Sequence, residues 1–366
     1  KNGHNGSEIM NSFSPDAVPI ITTLASEFGM VNEWFADVPG PTEPNRLFAM
    51  MGTSKGMAHN DDIRLVIGVP GNNIFKMIDE YTNNEWAVYT ADGPSAAFVE
   101  YTREHPMRYH DLPKLYKDIN AGELPFFSWV EPAYFTISKE FQASDQHPNH
   151  DVRKGEELMK NIYETLRNSS IWEDSLFVIY YDEHGGFFDH VSPPNNCPNP
   201  DGINSTDVEP PFNFQRLGLR VPSIFVSPWI KKGTIVSNTN HTDNQYTSTS
   251  LIHTIREQYA PNSPEITKRE SWSKTVEGIV NLDEMRTDCP VTLPDIPYDN
   301  NDRIHPNWNV NKGYGNDEPN DLQINIAKAV ANMCRKDKEV YNYMDNEGKL
   351  GMFVRECMQK WREQAL

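Results

Sequence analysis

Cysteine is scarce in this 366-residue chain: Cys197, Cys289, Cys334 and Cys357 are the whole complement. None forms a Cys-x-x-Cys pair, which argues against a zinc knuckle. Long apolar runs are also missing. The longest of note, Leu176–Tyr181, has the length of a strand and falls far short of the ~18 apolar residues of a membrane span. Basic charge is short as well, 33 Lys and Arg against 52 Asp and Glu, a net −19. That balance argues against a nucleic-acid partner, because phosphate backbones are met by basic faces. No internal repeat is present. The first residues, Lys1-Asn-Gly-His-Asn5, carry neither an initiator Met nor a signal-peptide pattern, so we expect the chain to begin inside a longer precursor.

What is present is a full apolar inventory, 37 % hydrophobic and 11 % aromatic, enough for one large domain. Four Asn-x-Ser/Thr sequons, at Asn5, Asn168, Asn204 and Asn240, lie in polar stretches and predict a glycosylated, secreted or secretory-pathway protein. In that compartment the cysteines would pair. Cys334 and Cys357 sit in two helical stretches either side of a turn at 346–348, which predicts a bridge between them and leaves Cys197 with Cys289.

Helical spacing from Asp16 to Phe28 predicts a helix stopped by Gly29, followed by a strand over 30–35. A Pro39-Gly-Pro41 turn then leads to Thr42, an N-cap for a helix running to Met51. Strands are predicted over 63–69, 86–90, 124–129, 176–181 and 221–227. A helix over 151–166, capped by Asp151, repeats Leu158, Ile162 and Leu166 on one face. The run 176–181 shows no alternation and reads as a strand covered on both faces. Residues 192–215 and 287–320 read as long loops, and 321–366 as an amphipathic helical appendage. Alternating helices and buried strands imply a layered α/β domain over 1–320 with the appendage at 321–366.

Three segments carry candidate chemistry. Asp182-Glu-His-Gly-Gly186 follows a buried strand, and strand ends are where α/β proteins place their sites. Paired carboxylates beside His184 and His190 suit a divalent metal, although the same residues also suit a capped, solvated turn. Thr42 at a helix N-terminus lies where N–H groups and the helix dipole favour an anion, or it is simply a cap. Arg46, one turn on, could bind phosphate oxygens or pair with Glu43. His147 and His150 lie on the loop before the 151–166 helix, where a histidine can protonate a leaving oxygen, or be a surface residue.

The stretches WFADVPGPTEPNRLFAMMGTSKG (34–56), LPFFSWVEPAY (124–134), the long segment 147–194 around YYDEHGGFFDHVSPP, and LGLRVPSIFVSPWIKKGTI (217–235) together resemble one family. It is the phosphoesterase family that holds phosphatidylcholine-hydrolysing phospholipases C of bacteria, non-specific phospholipases C of plants and related acid phosphatases. The resemblance implies an alkaline-phosphatase/sulfatase-like α/β/α fold and metal-dependent hydrolysis of a phosphate ester or phospholipid through a phospho-threonine on Thr42. It implies Asp182, Glu183 and Thr42 as ligands of a divalent ion (calcium, zinc or magnesium). His147, Asn45, Arg46, His184 and His190 are the further site candidates. It also implies an upstream ENRSFDH-like motif, absent from these 366 residues, so that either a separate fragment of the same precursor supplies it or this form is incomplete. An acidic-His pair is expected where Thr247 and Ser248 stand. Those two departures keep open a second reading, an inactive relative serving as a secreted binding or structural protein.

Overall fold

A computed structural model describes residues 8–60, 63–148, 150–238, 244–298 and 314–364. In chain order its elements are α1 (Pro19–Glu27), β1 (Gly29–Val31), β2 (Trp34–Phe35), α2 (Thr42–Met51), α3 (Ile63–Ile67), α4 (Ile74–Tyr81), β3 (Trp86–Thr90), α5 (Glu100–Arg103), β4 (Tyr109–Asp111), α6 (Leu112–Ala121) and β5 (Phe127–Glu131). They continue as α7 (Val152–Arg167), β6 (Phe177–Tyr180), β7 (Ser223–Val226), β8 (Thr234–Val236), β9 (Tyr246–Thr247), α8 (Thr249–Tyr259), α9 (Lys268–Trp272), α10 (Asp321–Met333) and α11 (Glu347–Glu363).

The strands form a parallel sheet ordered β4-β3-β5, a mixed sheet ordered β6-β7-β1-β8, and a short β2-β9 pair. Helices cover both faces. Ala87 and Tyr89 of β3 join α1, α6 and α7 in one apolar cluster, while Trp86 and Val88 point the other way, into a cluster built with α2, α10 and α11. That alternation is the period of two expected of a strand, and it makes the architecture a layered α/β/α one.

Local sequence explains the helices that frame the site. Asp151 accepts the Arg153 N–H at 3.0 Å and starts α7, whose Met159, Ile162, Tyr163 and Leu166 share one buried face. Buried Glu156 on the same helix accepts the N–H groups of Ile20 (2.6 Å) and Ile21 (3.2 Å). It thereby caps α1, whose own N-cap Val18 has no acceptor to offer. The C-terminal helices α10 and α11 insert Ile326, Val330, Leu350, Val354 and Trp361 into the largest core cluster.

Several expectations need correction. Residues 63–67 form α3 rather than a strand. Arg103 donates to the carbonyls of Leu65 and Val66 at its C-terminus, and Gly68 at φ +95° ends it. So short an apolar run has no period that separates helix from strand. The single strand expected over 30–35 is two, β1 and β2, in different sheets. The 176–181 run is β6, but its four residues are half-exposed instead of buried on both faces, because among the described residues it pairs with β7 alone. All four cysteines are buried thiols. Cys334 and Cys357 are in side-chain contact, while Cys197 and Cys289 lie in separate clusters, so the second pairing has no structural basis.

Candidate active site

Pro41, not Thr42, is the N-cap of α2. Thr42 is the first helical residue, with its side chain largely buried; the Glu43 N–H donates to Asn60 Oδ1 at 3.2 Å and Pro41 and Pro44 carry no N–H, so the Thr42 N–H is the first-turn donor left to meet an anion. Asn45 sets the approach of this turn. Its Oδ1 accepts the Val38 N–H at 3.0 Å, and its amide donates to the carbonyls of Val38, Gly40 and Pro41 at 3.0–3.3 Å. Asn45 therefore spends its polar atoms on the Pro39-Gly-Pro41 loop that delivers Thr42.

Arg46 lies one turn further on and points away from Glu43. Its Nε donates to Asp182 Oδ2 at 3.0 Å, and its Nη1 reaches Glu131 Oε2 at 3.4 Å, Ser95 Oγ at 3.3 Å and the Tyr134 hydroxyl. Glu131, at the C-terminal end of β5, also accepts the Ser95 and Ala96 N–H groups, the Trp129 indole and the Tyr134 hydroxyl. Glu131, Tyr134 and Ser95 are site residues that sequence reasoning missed. A single glutamate closing an aromatic strand carries no distinguishing pattern, although it lies inside the 124–134 stretch.

Asp182 and Glu183 follow β6 directly. Gly185 and Gly186 take φ of +64° and +81°, the left-handed conformation that turns the chain just after the two carboxylates. Glu183 accepts the Gly185 N–H at 2.6 Å, and Asp182 Oδ1 accepts the Glu183 N–H at 3.1 Å. Burial, and then the charge of Asp182, push the Glu183 carboxyl above its ordinary range. His147 is near enough for its charge to pull the same group back. Burial raises Glu43 to about 8; its Oε1 faces Asn325 of α10 and its Oε2 has no partner.

His150 is buried, with Nδ1 2.5 Å from Asp145 and Nε2 3.8 Å from Glu347 of α11, and its ring centroid is 5.8 Å from that of His147. His184 is turned onto the Phe187 carbonyl at 2.8 Å, and His190 is exposed beside Asp189. Neither histidine joins a ligand cluster. Among the described residues no group of three His, Cys, Asp or Glu side chains is placed to hold a metal. The hard oxygens of Asp182, Glu183 and Thr42 match a divalent cation in kind but leave the set short in number.

Thr247 and Ser248 are buried against the loop that precedes Thr42. Ser248 donates its N–H (3.1 Å) and its hydroxyl to Asp37, whose carboxyl burial raises. The serine hydroxyl is thus committed to a buried carboxylate. Of the sequons, Asn168 and Asn204 are exposed, and Asn5 and Asn240 lie outside the described residues.

Fold and site define an α/β protein in which Arg46, one turn into the helix that opens at Thr42, binds Asp182 just beyond a strand end. The sequence profile of the phosphoesterase family matches residues 1–260, and the chain belongs to that family. It is similar to non-specific phospholipase C6 of Arabidopsis thaliana, 40 % identical over 303 residues that cover 80 % of this chain and 57 % of the relative. Non-specific phospholipase C5 of the same plant is 40 % identical over 295 residues (78 % and 56 %). Hemolytic phospholipase C of Pseudomonas aeruginosa is 24 % identical over 282 residues (62 % and 37 %). The matched region is little more than half the length of the two plant relatives. Among solved structures, a protein in the alkaline phosphatase superfamily from Vibrio parahaemolyticus aligns at a TM-score of 0.40 and 11 % identity, covering 70 % of this chain and 63 % of the other.

Proposed function

We propose that this chain carries the catalytic core of a phosphoric ester hydrolase, acting as a phospholipase C on a phosphodiester or as an acid phosphatase on a phosphomonoester. The observation that carries the reading is the Arg46 bridge, which draws Asp182 and the N-terminal turn bearing Thr42 into one site. Thr42 Oγ gives up its proton to a carboxylate of the Asp182–Glu183 pair and bonds to phosphorus as the bond from phosphorus to the ester oxygen breaks, and that oxygen leaves with a proton from His147. Water then gives a proton to His147 and bonds to phosphorus, the Thr42 oxygen–phosphorus bond breaks, and Thr42 takes back the proton held by the carboxylate. The Thr42 N–H at the start of α2 receives a phosphoryl oxygen, and Asn45 holds the loop that aims the hydroxyl. Asp182, Glu183 and Thr42 would hold a divalent cation, calcium, magnesium or zinc, which supplies positive charge against those oxygens.

The exposed sequons at Asn168 and Asn204 support a secreted glycoprotein. The relatives named as phospholipases C favour a phospholipid as substrate, and an N-terminal fragment of the same precursor would be the natural source of further ligands. A second reading is a catalytically inactive secreted relative with a binding or structural role. It is favoured by the short ligand set and by the commitment of Ser248 to Asp37.

Hydrolysis of p-nitrophenyl phosphate and p-nitrophenyl phosphorylcholine separates the two. Turnover lost both in Thr42→Ala and with chelator supports the hydrolase, and the preferred substrate tells phosphatase from phospholipase C. No turnover with any divalent ion, in a sample shown to contain the N-terminal fragment, supports the inactive relative.

A further inference from the structure

We infer that the cleft between the C-terminal ends of α4 and α8 binds a neutral oligosaccharide, at the end of the molecule away from Thr42. The cleft has a volume of about 540 Å³, within the ~300–1,000 Å³ of small-ligand sites. Glu80, Tyr81, Asn83 and Asn84 line it from α4 and the loop that follows. Tyr259 and Asn262 line it from the end of α8 and the next turn.

Short-range bonds hold its walls. Thr82 Oγ1 donates to the Ile78 carbonyl at 2.7 Å and accepts the Asn84 N–H at 3.0 Å, which fixes the 82–84 loop. The Ser263 N–H donates to the Ala260 carbonyl at 2.8 Å and closes the turn that carries Asn262. Phe126 meets the Tyr259 ring edge to face, with centroids 4.7 Å apart, and braces it. Tyr81 and Tyr259 are nevertheless open to solvent, at 41 % and 50 %. Among the described residues, neither tyrosine hydroxyl and none of the three asparagine amides has a hydrogen-bond partner.

That lining suits one ligand chemistry. Each amide offers a donor and an acceptor side by side, which adjacent sugar hydroxyls can meet. The face of a tyrosine ring is weakly negative and attracts the C–H bonds on the flat side of a pyranose. Glu80, the one charged group of the lining, is acidic and pairs with Lys76 at 3.7 Å. With a net charge of −19 on the chain as well, an anion such as a phosphate ester is repelled here. Two aromatic walls and three amides thus select a neutral polyhydroxyl ligand.

The cleft is separate from the candidate active site. β3 and β5 run parallel, with Trp86 opposite Phe127 and Thr90 opposite Glu131. Phe126 and the 80–84 segment precede these strands, whereas Glu131 lies at their far end, on Arg46, roughly 13 Å along at ~3.3 Å per residue. Helix α8 measures the same separation. Ser248, bonded to Asp37, precedes it, and Tyr259 closes it. Its 11 residues cover about 16 Å. A bound oligosaccharide therefore leaves the turn of Thr42 free.

The test is saturation-transfer NMR and calorimetry of the intact chain with maltotriose, cellotriose and tri-N-acetylchitotriose, which share pyranose faces and differ in linkage and substituents. Sorbitol, a polyol without a ring face, is the control. At least one trisaccharide should bind with a dissociation constant of about 1 mM or tighter, with saturation strongest on its ring C–H protons. Tyr259→Ala and, on the opposite wall, Tyr81→Ala should each weaken that ligand at least about tenfold, while Tyr259→Phe keeps most of the affinity. Binding of none of the three at about 10 mM, equal binding of sorbitol, or wild-type affinity in both alanine variants overturns the inference. The readout is binding and not turnover, so a failure here is distinct from a failure of the phosphoesterase reading.

Discussion

Arg46 on α2 donates through Nε to Asp182, 136 residues further along the chain, at 3.0 Å, and through Nη1 to Glu131 at the end of β5. One guanidinium therefore joins a helix and the ends of two strands from separate sheets. Removing it leaves Glu131, almost wholly buried, and Asp182 without their cation. Arg46→Ala should cost about 3 kcal/mol or more in urea unfolding. It should lower kcat/KM for any ester turned over by at least about a hundredfold. Arg46→Lys keeps the charge but loses the fork, so its stability should fall between the two. Wild-type urea midpoint and kcat/KM in Arg46→Ala would remove this residue from the account.

Asp92 links stability to pH. It is fully buried, and burial pushes its carboxyl up to about 7 even though the N–H groups of Gly93, Tyr134 and Phe135 bond to it and oppose the shift. A carboxyl raised in the folded state stays protonated there while the unfolded chain ionises near 4. Its contribution is complete at low pH and is lost as pH rises from about 4 through about 7, a loss on the order of a few kcal/mol. Asp92→Asn should be less stable overall yet show a flatter dependence of melting temperature on pH across that window. A slope equal to that of wild type would contradict this assignment.

How much of this was legible beforehand depends on range. The helix over 151–166, the buried strand over 221–227 and the turn at 182–186 could be read because cap, period and glycine pair all act within a few residues. Thr42 could be placed at a helix start, although Pro41 rather than its own hydroxyl occupies the cap position. The partners of Arg46 could not be read, since Glu131 and Asp182 lie 85 and 136 residues away. The α3 error has the same origin. Residues 63–67 carry a strand-like composition, and what holds them as a helix is Arg103, 37 and 38 residues on. The half-exposure of β6 was illegible because it depends on strand pairing, and among the described residues β6 pairs with β7 alone, over 40 residues further on.

Arg269 predicts a purely structural cost. It is fully buried and donates to the carbonyls of Asp37 (3.0 Å), Pro198 (3.1 Å) and Phe214, tying the loop before Thr42 to two distant loops, with its guanidinium 5.4 Å from the Phe48 ring centroid. Arg269→Ala leaves three carbonyls without that donor and should destabilise by about 3–5 kcal/mol in chemical denaturation. Arg269→Lys should recover only a minor part, because one ammonium cannot reach three divergent acceptors. A cost below about 1 kcal/mol for Arg269→Ala would show that the clamp does not hold these loops.

The central claim is that Thr42 is the nucleophile, and it is tested most directly by looking for the bond it should form. The protein, supplied with divalent ion and any N-terminal fragment of its precursor, is mixed with p-nitrophenyl phosphate and quenched in acid within the first turnover. Its peptides are then analysed by mass spectrometry. The account predicts a phosphoryl group on Thr42, absent from Thr42→Ala and absent when chelator is present. Steady turnover with Thr42 unmodified, or with Thr42→Ala as active as wild type, would contradict it.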